Sequence, residues 1–571
     1  MREPDRRGQL PLDRAAGASE RPPVDAGGRL AVIGGFIRAP PAAPHGSWQA
    51  AFRLCNAIAR TGRFECIDVF HEDIDRLRRQ TDLVLPQGVT SRLFERTHLK
   101  DSAGAYRAIY VANGDQMYYV PHVLRPDGDV APVICEIGTA HHAGQWRNLF
   151  LAALGGSLRQ TDGFIFKARP VEGIYREIWK EWSARRGALP FPATAVIPNG
   201  VDLAANTRDD KLRADTRRAL GLGPHDVAFL TFSRLSNGTK GDYRALLFSF
   251  GRLIERWPHA VLVLSGKAYD RSFLLRLRTE ARMAGLANNL IVAEDPYQIW
   301  PDARERLMSA ADVFVHLSTG AEEAAPQSVL EAMAFGLPVI AAHWAGLPDL
   351  VEEGSNGFLV PTYLAEPPLA LQQALLAREE SLTNIDLGRC VGCDPEVLVR
   401  AASILLSNEE ARLAMGRQSR RRAELLFSLD DVAGRRVSFF DELSRAARIA
   451  GADAPPAPLV DLVQLRSVLW GMGKRPLARA DVMAVSREDG FAPARAALAG
   501  AGDDAIVELV ECVLRADAPI TAGELTRRVQ GIVSNETETE GKPSQLWSTC
   551  SRTLVQFIAY GAVRVAVSDE C

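Results

Sequence analysis

No apolar run in this sequence approaches the roughly 20 residues that a membrane-crossing helix requires, so no span is expected, while peripheral contact with a membrane surface stays open. Charge of one sign is not in excess. The 67 Lys and Arg stand against 70 Asp and Glu, a formal net charge of −3. That balance excludes a chain that holds nucleic acid on a broad basic surface. Cysteine is sparse, 8 in 571 residues and scattered, which suits a reducing compartment. Cys390 and Cys393 form one C-x-x-C, but the second pair or the spaced histidines of a zinc ribbon do not follow, so no metal is expected. The opening Met1-Arg-Glu-Pro-Asp-Arg-Arg7 lacks the apolar stretch of a secretory signal. A cytoplasmic protein is the resulting expectation. G-x-G-x-x-G is missing after the first apolar run, which argues against a dinucleotide site there.

What is present is an alternation of short apolar runs and amphipathic stretches, the pattern of parallel α/β domains. The length suits about three domains. Residues 1–28, rich in Arg, Asp, Pro and Gly, read as a disordered tail. A first Rossmann-like domain is expected over 29–200 and a second over 201–447, with a linker at 448–458 and an accessory module at 459–571. The first boundary rests on Pro198-Asn199-Gly200, a turn after a strand. The linker rests on Gly451-Ala-Asp-Ala-Pro-Pro-Ala-Pro.

The segment Ala311–Thr362 organises the whole. It reads as strand, loop, helix and strand in quick succession, and ligands of such sheets bind beyond the carboxyl ends of the strands. Glu323 falls in the loop, and Glu331 is expected in the first turn of the helix, so that both face one crevice. Ser328-x-x-Glu331 also fits a capping box, in which Glu331 bonds back to the helix start. After an earlier strand, Val227–Ser233, the loop Ser233-Arg234-Leu-Ser-Asn-Gly-Thr-Lys240-Gly241-Asp242 carries two cations suited to a diphosphate. Lys267 follows the next strand. His141 and His142 stand in a Gly-bounded loop after the strand Val133–Ile137, where an imidazole can donate to a hydroxyl or a phosphate.

Glu323-Ala-Ala-Pro-Gln-Ser-Val-Leu-Glu331, its continuation to Gly336-Leu-Pro338, and Gly346-Leu-Pro348-Asp349 resemble the donor site of family 4 glycosyltransferases. The resemblance covers about 420 residues and implies the GT-B fold. This is two Rossmann-like domains facing a cleft, here followed by a small, mainly helical module. It further implies a nucleotide-sugar co-substrate, UDP- or GDP-linked, no metal or other cofactor, and transfer with retention of anomeric configuration. On that resemblance Arg234 and Lys240 bind the departing diphosphate and Glu323 the transferred sugar. Glu331 binds the ribose, with Gln327, Ser328 and Val329 around it. Gly46 and Ser47 match a glycine-containing loop facing donor or acceptor, and one of His141 and His142, which one being open, matches a functional histidine. Two departures stand out. Ser233 replaces a glycine, and Ser265-Gly266-Lys267 replaces a more glycine-rich turn. They motivate a second reading, a binding or regulatory protein on a degenerate scaffold. A third, epimerisation or phosphorolysis, lacks a supporting motif. Asp73-x-Asp75 and Asp127-x-Asp129 imitate a metal motif but read as solvated turns.

In 459–571, two helices, Ile506–Leu514 and one opening at the capping box Thr521-Ala-Gly-Glu524, are expected to precede a third at Leu546–Ala559 and a terminal strand. That order suits a winged-helix-like module. Arg552 is the only cation of the third helix, so docking of a protein or peptide is favoured over DNA.

Overall fold

The computed structural model describes residues 28–33, 46–71, 89–102, 104–112, 120, 121, 125, 129–139, 158–186, 191–236, 240–268, 270–320, 323–366, 387–450, 482–485, 504–517, 520–536, 550, 554 and 563–566. The chain divides into two compact units, Met1–Leu459 and Val460–Cys571.

The first unit holds two parallel sheets. One is built from β1 (Arg29–Ile33), β2 (Cys66–His71), β3 (Leu93–Glu95), β4 (Ala108–Val111), β5 (Val133–Ile137), β6 (Gly163–Phe166) and β7 (Ala193–Val196) in the order β3-β2-β1-β4-β5-β6-β7. The other is built from β8 (Val227–Phe232), β9 (Ala260–Gly266), β10 (Leu290–Glu294), β11 (Val313–His316), β12 (Val339–Ala342) and β13 (Gly357–Val360) in the order β10-β9-β8-β11-β12-β13. Strands such as Val-Leu-Val-Leu in β9 are apolar throughout because helices cover both faces of a parallel sheet. In each sheet the order reverses beside its first strand, and that reversal opens a crevice at the carboxyl ends. In the second sheet it lies between β8 and β11, which pair Val313 with Phe229. The loops leaving those two strands are the ones that carry Arg234, Lys240 and Glu323.

The helix Leu429–Ala450 returns from the second sheet to the first. Its Val432, Val437, Phe440 and Leu443 share a core with Leu30, Ile67, Ile134 and Ile165. Gly163 lies close beneath it: a Cβ there would sit 2.5 Å from Leu443 Cδ1, so that side chain would have to shift. Two small antiparallel sheets were not expected from the sequence, which foresaw only the terminal strand of the second. β14 (Thr362–Leu364) pairs antiparallel with β15 (Val391–Cys393). In the second unit, β16 (Val482–Val485) pairs with both β17 (Ile520–Thr521) and β18 (Val563–Ala566).

That unit also has helices Asp504–Asp517 and Ala522–Glu536, the latter capped by Thr521 Oγ1, which accepts from Glu524 N at 3.1 Å. Of the expected third helix only Cys550 and Leu554 are described, both helical. Among the described residues no helix is long and apolar enough to cross a membrane.

Candidate active site

The loop after β8 is pinned before it reaches the crevice. Ser233 N donates to Ser265 O at 3.0 Å and Leu235 N to Lys267 O at 2.9 Å. The crossing is so close that a Cβ on Gly266, whose φ is +145°, would lie 1.7 Å from Ser233 O. A single glycine thus meets the steric need where a richer turn was expected. At its far end the loop is held by Asp242, whose N donates to Leu317 O at 2.8 Å. Its carboxylate accepts from Ala245 N at 3.1 Å and from Cys393 N at 2.9 Å. Between these anchors Arg234 is exposed, and Lys240 is turned inward with its side chain 18% exposed.

Lys240 Nζ lies 3.6 Å from Glu323 Oε2. The same oxygen is 3.3 Å from Nε2 of His316, the last residue of β11. Glu323 is only 4% exposed. Burial pushes its carboxyl up, but Lys240, His316 and Ser318 outweigh this and hold it well below the ordinary carboxylate range. Glu323 is therefore held as the carboxylate at neutral pH.

Glu331 differs. It is also buried, 6% exposed, and Oε1 accepts from Arg304 Nη1 at 2.9 Å. Here burial wins and the carboxyl is raised, with Arg304 and Arg53 opposing. The capping-box reading does not hold. The helix is Gln327–Ala334, Pro326 occupies the cap position without a side-chain bond, and Ser328 is already inside the helix. Glu331 consequently sits in the second turn rather than the first, one turn further along the face that points at Arg304.

The other expected residues are placed as follows. Gln327 Nε2 donates to Gly200 O at 3.2 Å, tying this helix to the turn between the sheets, and Asn199 Nδ2 donates to Ala325 O at 2.8 Å. Val329 is fully buried and its N donates to Pro326 O at 3.2 Å, so its side chain packs the core and is not presented to a ligand. Ser328 is half-buried. Lys267 is half-buried just past β9. Gly46 and Ser47 open the helix Gly46–Arg60, so both lie in its first turn rather than in the glycine-containing loop expected there. His141, His142, Asp73, Asp75 and Asp127 lie outside the described residues. Asp129 is not a solvated turn acid but is 2% exposed and accepts from Ala131 N at 2.9 Å. Cys390 and Cys393 flank and end an extended strand, in which a disulfide between positions three apart is out of reach. Among the described residues no cluster of three or more His, Cys, Asp or Glu could hold a metal.

Three features escaped the sequence. Arg304 is 27 residues from the glutamate it holds. Tyr297, 51% exposed beside Phe232 at 6.3 Å, stands on the turn after β10. Asp349 reaches the first sheet, accepting from Arg169 N at 2.7 Å at the start of the helix Arg169–Arg186. That contact closes over Gly346, where a Cβ would lie 2.0 Å from Ala324 O and 2.5 Å from Ala168.

With this geometry in view, residues 226–377 match the family described as Glycosyl transferases group 1. That match lies wholly within the part of the chain that builds the second sheet. The chain is 26% identical over 259 residues to spore coat protein SA of Bacillus subtilis, covering 44% of this chain and 59% of that protein. It is 34% identical over 173 residues to the D-inositol 3-phosphate glycosyltransferase of Actinosynnema mirum, covering 29% and 39%. The chain thus spans about half the length of the curated relatives it matches. The crystal structure of Anabaena Alr3699/HepE in complex with UDP and glucose shares the fold, with a TM-score of 0.50 and 16% identity over 72% of this chain and 99% of that one. The fold is GT-B: two Rossmann-like domains, the second of which carries the matched residues and, among them, Arg234, Lys240, Glu323 and Glu331.

Proposed function

We propose that this protein transfers a sugar from a nucleotide-diphosphate sugar, UDP- or GDP-linked, to an acceptor seated against the first domain, with retention of anomeric configuration. The observation that carries this reading is the meeting of Lys240 with Glu323 where β8 and β11 part, 3.6 Å apart. A cation and a carboxylate ionised at neutral pH match there a leaving diphosphate and the hydroxyls of the sugar it leaves. Lys240 and Arg234 would neutralise charge as it develops on the departing phosphate oxygens, a contribution of about 3 kcal/mol for a well-placed group. Glu323 would hold sugar hydroxyls and Glu331 the ribose. One of His141 and His142 would serve the reacting sugar from the first domain. The two cations supply the charge that a metal ion supplies elsewhere, so no metal is required.

The test is turnover: labelled UDP- and GDP-sugars are incubated with the chain and release of nucleoside diphosphate is followed, with and without added acceptors. Release that Lys240→Ala slows supports transfer. Binding without release, by a folded chain given acceptors, supports instead the degenerate-scaffold reading that Ser233 and Lys267 motivate. Proton spectroscopy of the product's anomeric centre decides retention.

A further inference from the structure

Arg304 lies outside every motif of the site, on the helix Ala303–Ala310, among the buried residues Ala303, Leu307 and Met308. Its side chain is only 12% exposed. Nη1 donates to Glu331 Oε1 at 2.9 Å and Nη2 bonds Glu305, while Nε is buried without a partner. A buried guanidinium with an orphan donor is not what stability selects, since apolar residues of similar volume do as well or better. Its use is in what it does to Glu331. With Oε1 taken, no described residue donates to Oε2, and that atom is not among the buried orphans, so it keeps accessible surface. The guanidinium, with one arm on Glu331 and the other on Glu305, therefore holds one oxygen of Glu331 and leaves the other to accept from a ligand.

We propose that Arg304 is a positioning residue for the nucleotide: it holds Glu331 by one oxygen so that the other accepts the ribose hydroxyls. This rests on the donor-site reading above and deepens it.

Isothermal titration of the full chain with UDP, GDP and ADP names the nucleotide that binds. The 2′,3′-dideoxy form of the same nucleotide then reads the ribose contact alone. The wild-type chain is expected to prefer the hydroxylated form by about tenfold or more, the worth of a hydrogen bond to a charged group. Arg304→Met and Glu331→Gln should lose that preference, and Arg304→Lys, which keeps the charge without the fork, should retain only part of it. A merely structural role would weaken both nucleotides equally. If Arg304→Met leaves the preference intact while Glu331→Gln abolishes it, Arg304 is not the positioning residue although the donor site stands. Should Arg304→Met fail to fold, full preference in Arg304→Lys overturns the requirement for the fork. A wild-type chain that binds none of the three nucleotides overturns the donor site and this inference with it.

Discussion

At the scale of residues, the two glutamates of the motif are chemically unlike. Glu323 is kept ionised by Lys240 and His316, whereas Glu331 is raised by burial. A carboxylate that must be ionised to bind, and whose pKa is raised, loses binding as pH falls through a value above its ordinary 4.5. The acid limb of nucleotide affinity should therefore belong to Glu331. Titration calorimetry with a nucleotide-sugar, whose diphosphate lacks the terminal phosphate proton that titrates at about pH 6, should show affinity falling toward acid between pH 8 and 4.5 in the wild-type chain and flat in Glu331→Gln. A limb that persists in that variant contradicts the assignment. For Lys240→Ala, sugar transfer should fall by about 100- to 1,000-fold in kcat, the usual loss for a group stabilising developing charge, in a chain that still unfolds in a cooperative transition. Addition of EDTA should leave the wild-type rate unaltered; a loss restored by a divalent ion would reverse the metal-free reading. The glutamates and both cations were legible as a spacing. Their unlike titration was not, because it is set by Lys240, His316 and Arg304, neighbours supplied by three different loops and helices.

At the scale of elements, the returning helix Leu429–Ala450 carries a deeply buried ion pair. Arg436, fully buried, lies 3.2 Å from Glu136 on β5 through both Nε and Nη2, and it also reaches the carbonyls of Ile197 and Pro198 at 3.3 Å. Lys167 Nζ is 3.2 Å from the same carboxylate, and Tyr110 donates to it. Burial alone would push the Glu136 carboxyl up, but Arg436 and Lys167 pull it down to about 2. The folded value lies below the ordinary 4.5, so this stabilisation is fully present above 4.5 and is lost as pH falls toward about 2. Arg436→Met leaves an under-compensated buried carboxylate and should cost about 3–5 kcal/mol in a denaturant titration at neutral pH. The double change Arg436→Met with Glu136→Gln should recover part of that loss. A negligible effect of the single change would mean that the pair does not fasten this helix.

In the sequence, Arg436 reads as one more cation of Gly434-Arg-Arg-Val437. Nothing in a helical period distinguishes a buried arginine from its solvated neighbour when its partner is 300 residues away. In the second sheet β8 to β12 were legible because each is built on a short apolar run, while β13 was not read as a strand. β14, β15 and β16 were not, being three or four residues long and fixed by pairing alone.

At the scale of the molecule, the architecture places the proposed chemistry within the first unit. Asp349 against Arg169, Gln327 against Gly200 and Asn199 against Ala325 tie the donor loop to the first domain and the turn between the sheets. The residues beyond Leu459 form their own compact unit. A chain ending at Leu459 should therefore bind nucleotide with the affinity of the whole, whatever its fate in acceptor use. Affinity lost with the second unit would show that the donor site is not self-contained.

The central claim, a nucleotide-sugar site built on Arg234, Lys240, Glu323 and Glu331, is tested most directly by thermal unfolding with UDP-, GDP- and ADP-sugars, repeated on Arg234→Ala and Glu331→Ala. A ligand at 100 times its dissociation constant adds about 2.7 kcal/mol, enough for a clear rise in unfolding temperature. The account predicts that one nucleotide series raises it in the wild-type chain and that neither variant responds. A well-folded wild-type chain indifferent to every nucleotide-sugar, or variants that respond as it does, would contradict it.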